Sequence, residues 1–124
     1  MNEALEHYSR DRSHLGEPLP GSHRGEAGGA VCGDRLSLSF QLEGGRLLGL
    51  RSGASGCATA RAAIAAAAEL LDGVALGDAA RLSSPVIEAE LGGLSPVGIH
   101  AAELAADAVH RCLLYTSPSP RDRS

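Results

Sequence analysis

Two cysteines, an aspartate and a histidine on three separated segments are the side chains of this sequence best suited to metal chemistry. Cys32 and Asp34 share a Val-Cys-Gly-Asp segment, Cys57 follows a glycine, and His100 lies in a Pro-Val-Gly-Ile-His-Ala segment. Two thiolates, a carboxylate and an imidazole fit tetrahedral Zn²⁺. Mixed cysteine and histidine ligation also holds [2Fe–2S] clusters. The sequence therefore predicts a metal or cluster site at Cys32, Asp34, Cys57 and His100.

Each of these residues also has a simpler interpretation when it is taken alone. Cytosolic cysteines are often buried and inert, and an aspartate such as Asp34 is common in turns. A single histidine before a helix is more often a capping or surface residue than a ligand. The remaining histidines carry no distinguishing pattern, and we expect all of them at the surface: His7, His14, His23 and His110.

Composition and charge exclude several classes of function. The chain has 124 residues, enough for one domain with a single core, and its formal net charge is −4. A chain without a basic stripe is not expected to bind nucleic acid. The longest apolar run, residues 62–68, is too short to cross a bilayer, and the acidic N-terminus is not a signal peptide. We therefore expect a cytoplasmic protein without a membrane partner, in which thiols bind metals or react.

Hydrophobic patterning predicts the elements that position the candidate residues. Residues 35–42 alternate between apolar and polar side chains, which indicates a half-buried strand. A turn at residues 43–45 connects it to a partner strand over 46–52, and the glycine-rich residues 26–31 are consistent with an edge strand. A flexible loop over 53–56 then delivers Cys57 to the start of a long helix.

Helices are expected before and after this small sheet. The long helix covers residues 58–72 and ends at Gly73, which suits a left-handed cap. Helices are also predicted at residues 3–9, 76–82, 85–91 and from about residue 99 onward. The predicted fold class is α+β: a small antiparallel sheet of two to three strands packed against several helices. Its core is alanine-rich and lacks tryptophan, so a bound ion could contribute to folding.

The amino-acid composition changes near the end of the sequence. From Cys112 the alanine- and leucine-rich pattern changes to Ser-Pro-Ser-Pro-Arg-Asp, which resembles a translated sequencing adapter. We therefore expect a folded domain over residues 1–111 and a non-native tail over 112–124, with a natural disordered tail as the alternative. If the last helix continues past residue 101, Cys112 lies roughly 16 Å further along its axis. It cannot replace a thiol at position 101.

The order of the motifs resembles the iron–sulfur cluster assembly scaffold family, of the IscU and NifU N-terminal type. The matching segments are His7-Tyr8, Cys32-Gly33-Asp34, Gly56-Cys57-Ala58, Pro96-Val97-Gly98-Ile99-His100-Ala101 and Leu104-Ala105-Ala106-Asp107-Ala108. Together they extend from about residue 3 to residue 110. Each motif is weak alone, but their joint order favours a common site for Cys32, Asp34, Cys57 and His100 over the simpler interpretations.

The sequence departs from the family pattern at two positions. The family has a third cysteine where this chain has Ala101, and a basic residue where it has Gly98. In the family the third thiol is a ligand and a candidate acceptor of sulfur from the cysteine desulfurase. Receipt of sulfur is therefore the step that Ala101 puts most in question.

The resemblance implies a scaffold or carrier and not an enzyme. Such a protein binds iron, assembles a labile [2Fe–2S] cluster and transfers it to apo-proteins, and zinc can occupy the site in the purified protein. The implied partners are a cysteine desulfurase, the accepting apo-proteins and a chaperone, with a monomer or weak homodimer as the oligomeric state. Two alternatives remain: a zinc-binding module that docks to a desulfurase or sister scaffold, and a thiol enzyme that uses Cys57 and His100. No acyl-transfer motif supports the enzyme.

Overall fold

The structure, a computed structural model, confirms an α+β fold with a three-stranded antiparallel sheet and five helices in the described part of the chain. It describes residues 3–28, 35–56, 58–93 and 96–116, with the backbone alone for 96–98 and 114–116. The elements in chain order are α1 (Glu3–Arg10), β1 (His23–Gly28), β2 (Arg35–Glu43), β3 (Arg46–Ser55), α2 (Ala58–Leu71), α3 (Leu76–Ala79), α4 (Ser84–Glu90) and α5 (Pro96–Thr116).

The sheet has the strand order β1-β2-β3, so β2 lies in the centre. The predicted alternation in β2 is confirmed: Leu36, Leu38 and Phe40 are buried in the core that the sheet forms with the helices. The hairpin between β2 and β3 turns at Gly44 and Gly45, whose φ angles of 61° and 79° are both positive. Such a turn matches the right-handed twist of the two strands, and glycine adopts it without strain.

The α2 helix is buried on most of its surface. Every residue from Ala62 to Ala68 is buried, since the helix packs against β3 and β2 on one side and against α1, α4 and α5 on others. A helix enclosed on several sides needs small apolar side chains around most of its circumference, which the alanine run supplies. It ends before Gly73, whose φ of 77° confirms the predicted left-handed cap.

The α5 helix packs against β1 at very short distance because β1 has a glycine at the contact. A Cβ atom at Gly25 would lie 2.3 Å from the backbone nitrogen of Cys112 and 2.7 Å from the carbonyl oxygen of Ala108. The Cys112 thiol lies 3.3 Å from the carbonyl oxygen of His23, one step earlier on the same face of β1. These contacts place the turn of α5 that contains Ala108 and Cys112 against the first half of β1.

The contact with β1 lies far along α5 from the start of the helix. From Cys112 back to Ala101 the helix covers about 16 Å, and β1 covers about the same distance from His23 to Gly28. The continuation of α5 to Thr116 also confirms that Cys112 is far along the axis from position 101.

Several predicted boundaries are wrong, and small residues explain most of the errors. The first strand begins earlier, at His23, because its buried positions are Gly25 and Ala27, which give no hydrophobic alternation; predicted strand residues 29–31 lie outside the described ranges. β3 continues to Ser55, so residues 53–55 are strand and not loop. α5 begins at residue 96 instead of about 99, since proline fits the first helical turn.

The remaining predictions differ from the structure by smaller amounts. α1 is one residue longer than predicted, α2 ends one residue earlier, and α3 spans only four residues. Helix α5 continues through Cys112 and Leu113, which are both buried. The domain boundary after residue 111 stays a prediction, and residues 117–124 lie outside the description. Nowhere in the described ranges is a helix both long enough and apolar enough to cross a membrane.

Candidate functional site

Three of the four predicted site residues, Cys32, Asp34 and Cys57, lie outside the described residues, but the strand ends that flank them are described. Gly28, the last residue of β1, pairs with Arg35, the first residue of β2. Arg35 also pairs with Ser55, the last residue of β3. Adjacent strands lie about 4.8 Å apart, so these three strand ends occupy one edge only about 10 Å wide. The segments that carry Cys32, Asp34 and Cys57 all start or end there.

The residues on either side of position 57 create a positive electrostatic environment. Ala58 begins a helix of fourteen residues that has no acidic side chain in its first turn. The exposed guanidinium of Arg61, on that turn, donates a hydrogen bond to the carbonyl oxygen of Gly56 at 3.3 Å. Unpaired helix N–H groups and a nearby guanidinium both favour the thiolate form of a cysteine. This position therefore suits a nucleophilic or metal-binding thiol.

The third segment lies on α5, where the buried residue is Ala101 and not His100. Ala101 is only 3% exposed and belongs to the core cluster. The imidazole of His100 is exposed, on a face of the helix that also carries Glu103 and Asp107 and borders the start of α4. His100 therefore lies on the exposed side of α5, whereas its neighbour Ala101 faces the core. Whether His100 joins the thiols stays a prediction.

Sequence reasoning missed a second group of possible ligands. One ligand atom each from Asp11, His14 and Glu69 lies within 4.8 Å of the others. The prediction that His14 is a surface residue is wrong, since its side chain is only 13% exposed and lies 3.7 Å from Asp72. No spacing in the sequence signals the group, because the loop after α1 and the end of α2 meet only in the fold.

The carboxylate of Asp11 is already engaged in local hydrogen bonds. Its Oδ1 accepts bonds from the backbone N–H and the hydroxyl of Ser13, at 2.9 and 2.6 Å. These bonds, followed by the charge of nearby histidines, lower the pKa of Asp11 from its usual value. An imidazole with two carboxylates is a donor set that divalent cations accept. Glu69 is exposed, however, and proximity alone does not identify a ligand.

The other histidines differ in how well they match the expected surface positions. His7 is exposed, as predicted, and meets the ring of Tyr8 edge-on at 4.9 Å. His110 is exposed, and one ring nitrogen lies 2.6 Å from the carbonyl oxygen of Leu82. His23 is half-buried against Phe40, with the ring centres 5.6 Å apart.

Comparison with known proteins places this arrangement in a family. The model of the NifU-like N terminal domain matches residues 1–117. The bifunctional protein NifU/MnmA of Rubrobacter xylanophilus is 42% identical over 109 residues, which cover 86% of this chain and 22% of that protein. The iron-sulfur cluster assembly scaffold protein IscU 1 of Archaeoglobus fulgidus is 26% identical over 113 residues, 91% of this chain and 73% of that protein.

Solved structures show the same fold. A putative iron-sulfur cluster assembly scaffold protein for the SUF system from Fervidobacterium islandicum superposes with a TM-score of 0.70 at 18% identity, over 91% of this chain and 96% of that one. A NifU-like protein (N-terminal) from Brucella abortus gives a TM-score of 0.71 at 16% identity, over 95% and 94%. The chain spans about a fifth of the bifunctional Rubrobacter relative and about three quarters of the archaeal one. Together with the family match, these relationships show that the chain belongs to the NifU-like N-terminal domain family.

Proposed function

We propose that the chain is a scaffold for iron–sulfur cluster assembly, in which Cys32, Asp34, Cys57 and His100 bind iron and hold a labile [2Fe–2S] cluster. The observation that carries the proposal is the pairing of Gly28 with Arg35 and of Arg35 with Ser55. This pairing anchors the segments of both cysteines and of Asp34 at one end of the sheet. The names of the archaeal relative and of the solved SUF protein support the same role.

Each residue has a distinct part in the proposed assembly. Cys57 precedes the N-terminus of α2, where the helix dipole and Arg61 favour the thiolate that binds iron. Cys32 supplies the second thiolate from the connection between β1 and β2. Asp34 is a weaker oxygen ligand, which suits a cluster that must leave the scaffold. His100 supplies the imidazole from the start of α5.

The cluster is cargo and not a resident cofactor, so the protein acts by binding and release without catalytic turnover. A cysteine desulfurase supplies the sulfur, apo-proteins accept the cluster, and a chaperone assists the transfer. The protein acts in the cytoplasm as a monomer or weak homodimer. Iron is the physiological metal, and zinc occupies the same donors in protein that has not been loaded with iron.

Anaerobic reconstitution tests the proposed ligands. With ferrous iron and sulfide, the wild-type protein is expected to develop the visible absorption of a [2Fe–2S] cluster, while Cys57→Ala and Cys32→Ala lose it. Cys112→Ala is the matched control, because Cys112 is buried beneath β1. A wild-type protein without the band, or a Cys57→Ala protein that retains it in full, would refute the proposal.

The alternative role, a zinc-binding interaction module, rests on the single observation that a buried alanine occupies position 101. Transfer of labelled sulfur from a cysteine desulfurase separates the two roles. The scaffold predicts transfer to the wild-type protein and faster transfer to Ala101→Cys, which restores the third thiol of the family pattern. Tight binding of the desulfurase without any transfer to the wild-type protein would favour the interaction module.

A further inference from the structure

The outer face of the sheet carries a row of three polar side chains that the proposed cluster site does not use. Arg24 on β1 pairs with Ser39 on β2, and Ser39 pairs with Arg51 on β3. Paired residues in a sheet point to the same side, and the neighbouring Leu38 faces the core, so all three point away from the helices. Two guanidinium groups therefore flank one hydroxyl, on strands that span about 10 Å.

The segment between α1 and β1 covers this row and encloses a cavity. The backbone of this segment pairs with β3 at Ser52, through hydrogen bonds to His14 and Gly16. Gly16 lies beside Arg51, and a Cβ atom there would be in ordinary contact with the Arg51 Cδ at 3.4 Å. The cavity has a volume of about 190 Å³, and Gly16, Pro18, Arg24, Gly25, Glu26, Ser37, Leu38, Ser39 and Arg51 line it. This is below the roughly 300 Å³ typical of pockets for drug-sized ligands, so a ligand must be small.

The charges around this cavity are not balanced within the described part of the chain. There, neither Arg24 nor Arg51 has a carboxylate within 4.0 Å to offset the repulsion between their like charges across β2. Arg51 donates a hydrogen bond to the carbonyl oxygen of Leu50 at 2.9 Å, which leaves most of its donors available. Glu26 is the one acidic residue of the lining, and its carboxylate already lies 4.0 Å from Arg35.

The hydroxyls of the lining also lack strong partners. Ser39 is only 1% exposed, and its hydroxyl has no hydrogen-bond partner among the described residues. A buried hydroxyl without a partner costs free energy that a ligand oxygen would recover. Ser37 donates to the carbonyl oxygen of Gly53 over a long distance of 3.4 Å. The cavity therefore combines an excess of positive charge with hydroxyl donors.

We infer that this cavity, bounded by Arg24, Arg51 and Ser39, is a binding site for a tetrahedral oxyanion of the phosphate or sulfate class. Guanidinium groups bind such anions through charge-assisted pairs of hydrogen bonds. An anion between the two arginines removes their mutual repulsion and supplies acceptors to the serine hydroxyls. Donors on opposite sides of the cavity suit the diverging oxygens of a tetrahedral ion better than a planar carboxylate.

Titration with inorganic phosphate, followed by the backbone amide resonances of Ser37 and Ser39 at constant ionic strength, tests this inference. Saturable shifts are expected for the wild-type protein, with affinity reduced about tenfold in Arg51→Gln, which removes a hydrogen-bonding charged partner. Arg24→Gln is the second variant and should show the same direction. The control is Arg81→Gln, whose exposed guanidinium pairs with Asp78 outside the cavity and should leave the affinity unchanged.

Further ligands define the chemistry of the site. Acetate is expected to bind at least several-fold more weakly than phosphate. If glycerol phosphate binds as tightly as inorganic phosphate, the site accepts a phosphate group on a larger molecule. If glycerol phosphate binds more weakly than inorganic phosphate, the site is assigned to the free ion. Shifts that never saturate, equal affinities in Arg51→Gln and Arg81→Gln, or acetate binding as tight as phosphate would overturn the inference. Cys57→Ala should bind phosphate normally, so failure of the cluster proposal leaves this test intact.

Discussion

Replacing Gly25 by alanine should separate α5 from the sheet, because the added methyl group has no space. The new Cβ atom would lie 2.3 Å from the backbone nitrogen of Cys112 and 2.6 Å from its Cα atom. Ordinary contacts begin near 3.4 Å, so the helix must move away from β1 by about 1 Å. Backbone atoms inside a hydrogen-bonded helix cannot move alone, and the displacement therefore affects the whole contact between α5 and β1.

The expected loss of stability follows from this displacement. A gap of 0.5 to 1 Å forfeits a quarter to a half of the dispersion attraction between the surfaces that it separates. The buried residues of α5 that face β1, Cys112 among them, lose contact. Overpacking commonly costs 1–3 kcal/mol, and the rigid backbone on the α5 side favours the upper end, about 3 kcal/mol.

Urea denaturation measures this difference directly. With an m-value of about 1.5 kcal/mol/M, Gly25→Ala should lower the unfolding midpoint by about 2 M. The matched control is Gly77→Ala on α3, where nothing lies within 4 Å of the added Cβ and a helical position favours alanine by about 0.5–1 kcal/mol. A Gly25→Ala midpoint within experimental error of the wild type would refute the proposed contact.

Three further predictions concern single side chains. Burial raises the pKa of the Cys112 thiol to about 12, so iodoacetamide at pH 8 should leave this thiol unmodified in the folded protein. Because the pKa in the folded state exceeds the unfolded value of about 8.5, the contribution of this thiol to stability should be complete below pH 8.5 and should decline as the pH rises from 8.5 toward 12. Tyr8→Phe removes a hydrogen bond to the exposed Glu90 and should lower the free energy of unfolding by about 1 kcal/mol, as measured by thermal unfolding. Burial, and after it the hydrogen bond to Glu90, raises the pKa of Tyr8. Ionisation of Tyr8 above pH 10 should therefore reduce the stability of the wild type but not of Tyr8→Phe. Arg61→Gln should slow alkylation of Cys57 about twofold, as measured by mass spectrometry against Arg81→Gln, and an unchanged rate would exclude Arg61 from activating this thiol.

The sheet could be predicted where apolar side chains alternate. Leu36, Leu38 and Phe40 define β2 and its buried face because each adds a large side chain at every second position. β1 buries Gly25 and Ala27 instead, so its hydrophobic signal is absent and only pairing with β2 defines the strand. Small residues are needed there because α5 approaches the backbone, and that requirement is visible only in the fold.

The candidate site could likewise be predicted only in part from the sequence. The motifs around Cys32, Cys57 and His100 could be identified from residue types and order, since each is a short continuous segment of the sequence. The exposure of His100 depends on which face of α5 packs against β1 and α2, which is set by tertiary contacts and not by the short motif. The grouping of Asp11, His14 and Glu69, and the row from Arg24 to Arg51, arise from tertiary contacts between distant segments.

The central claim, that this chain assembles an iron–sulfur cluster on Cys32, Asp34, Cys57 and His100, is tested most directly by metal analysis of anaerobically purified protein. Iron, zinc and acid-labile sulfide are measured per chain for the wild type and for Cys57→Ala. The account predicts iron and sulfide in equal amounts in the wild type and neither in the variant. Equal iron and sulfide in both proteins, or a wild-type protein that holds zinc alone and takes up no iron and sulfide on anaerobic loading, would contradict it.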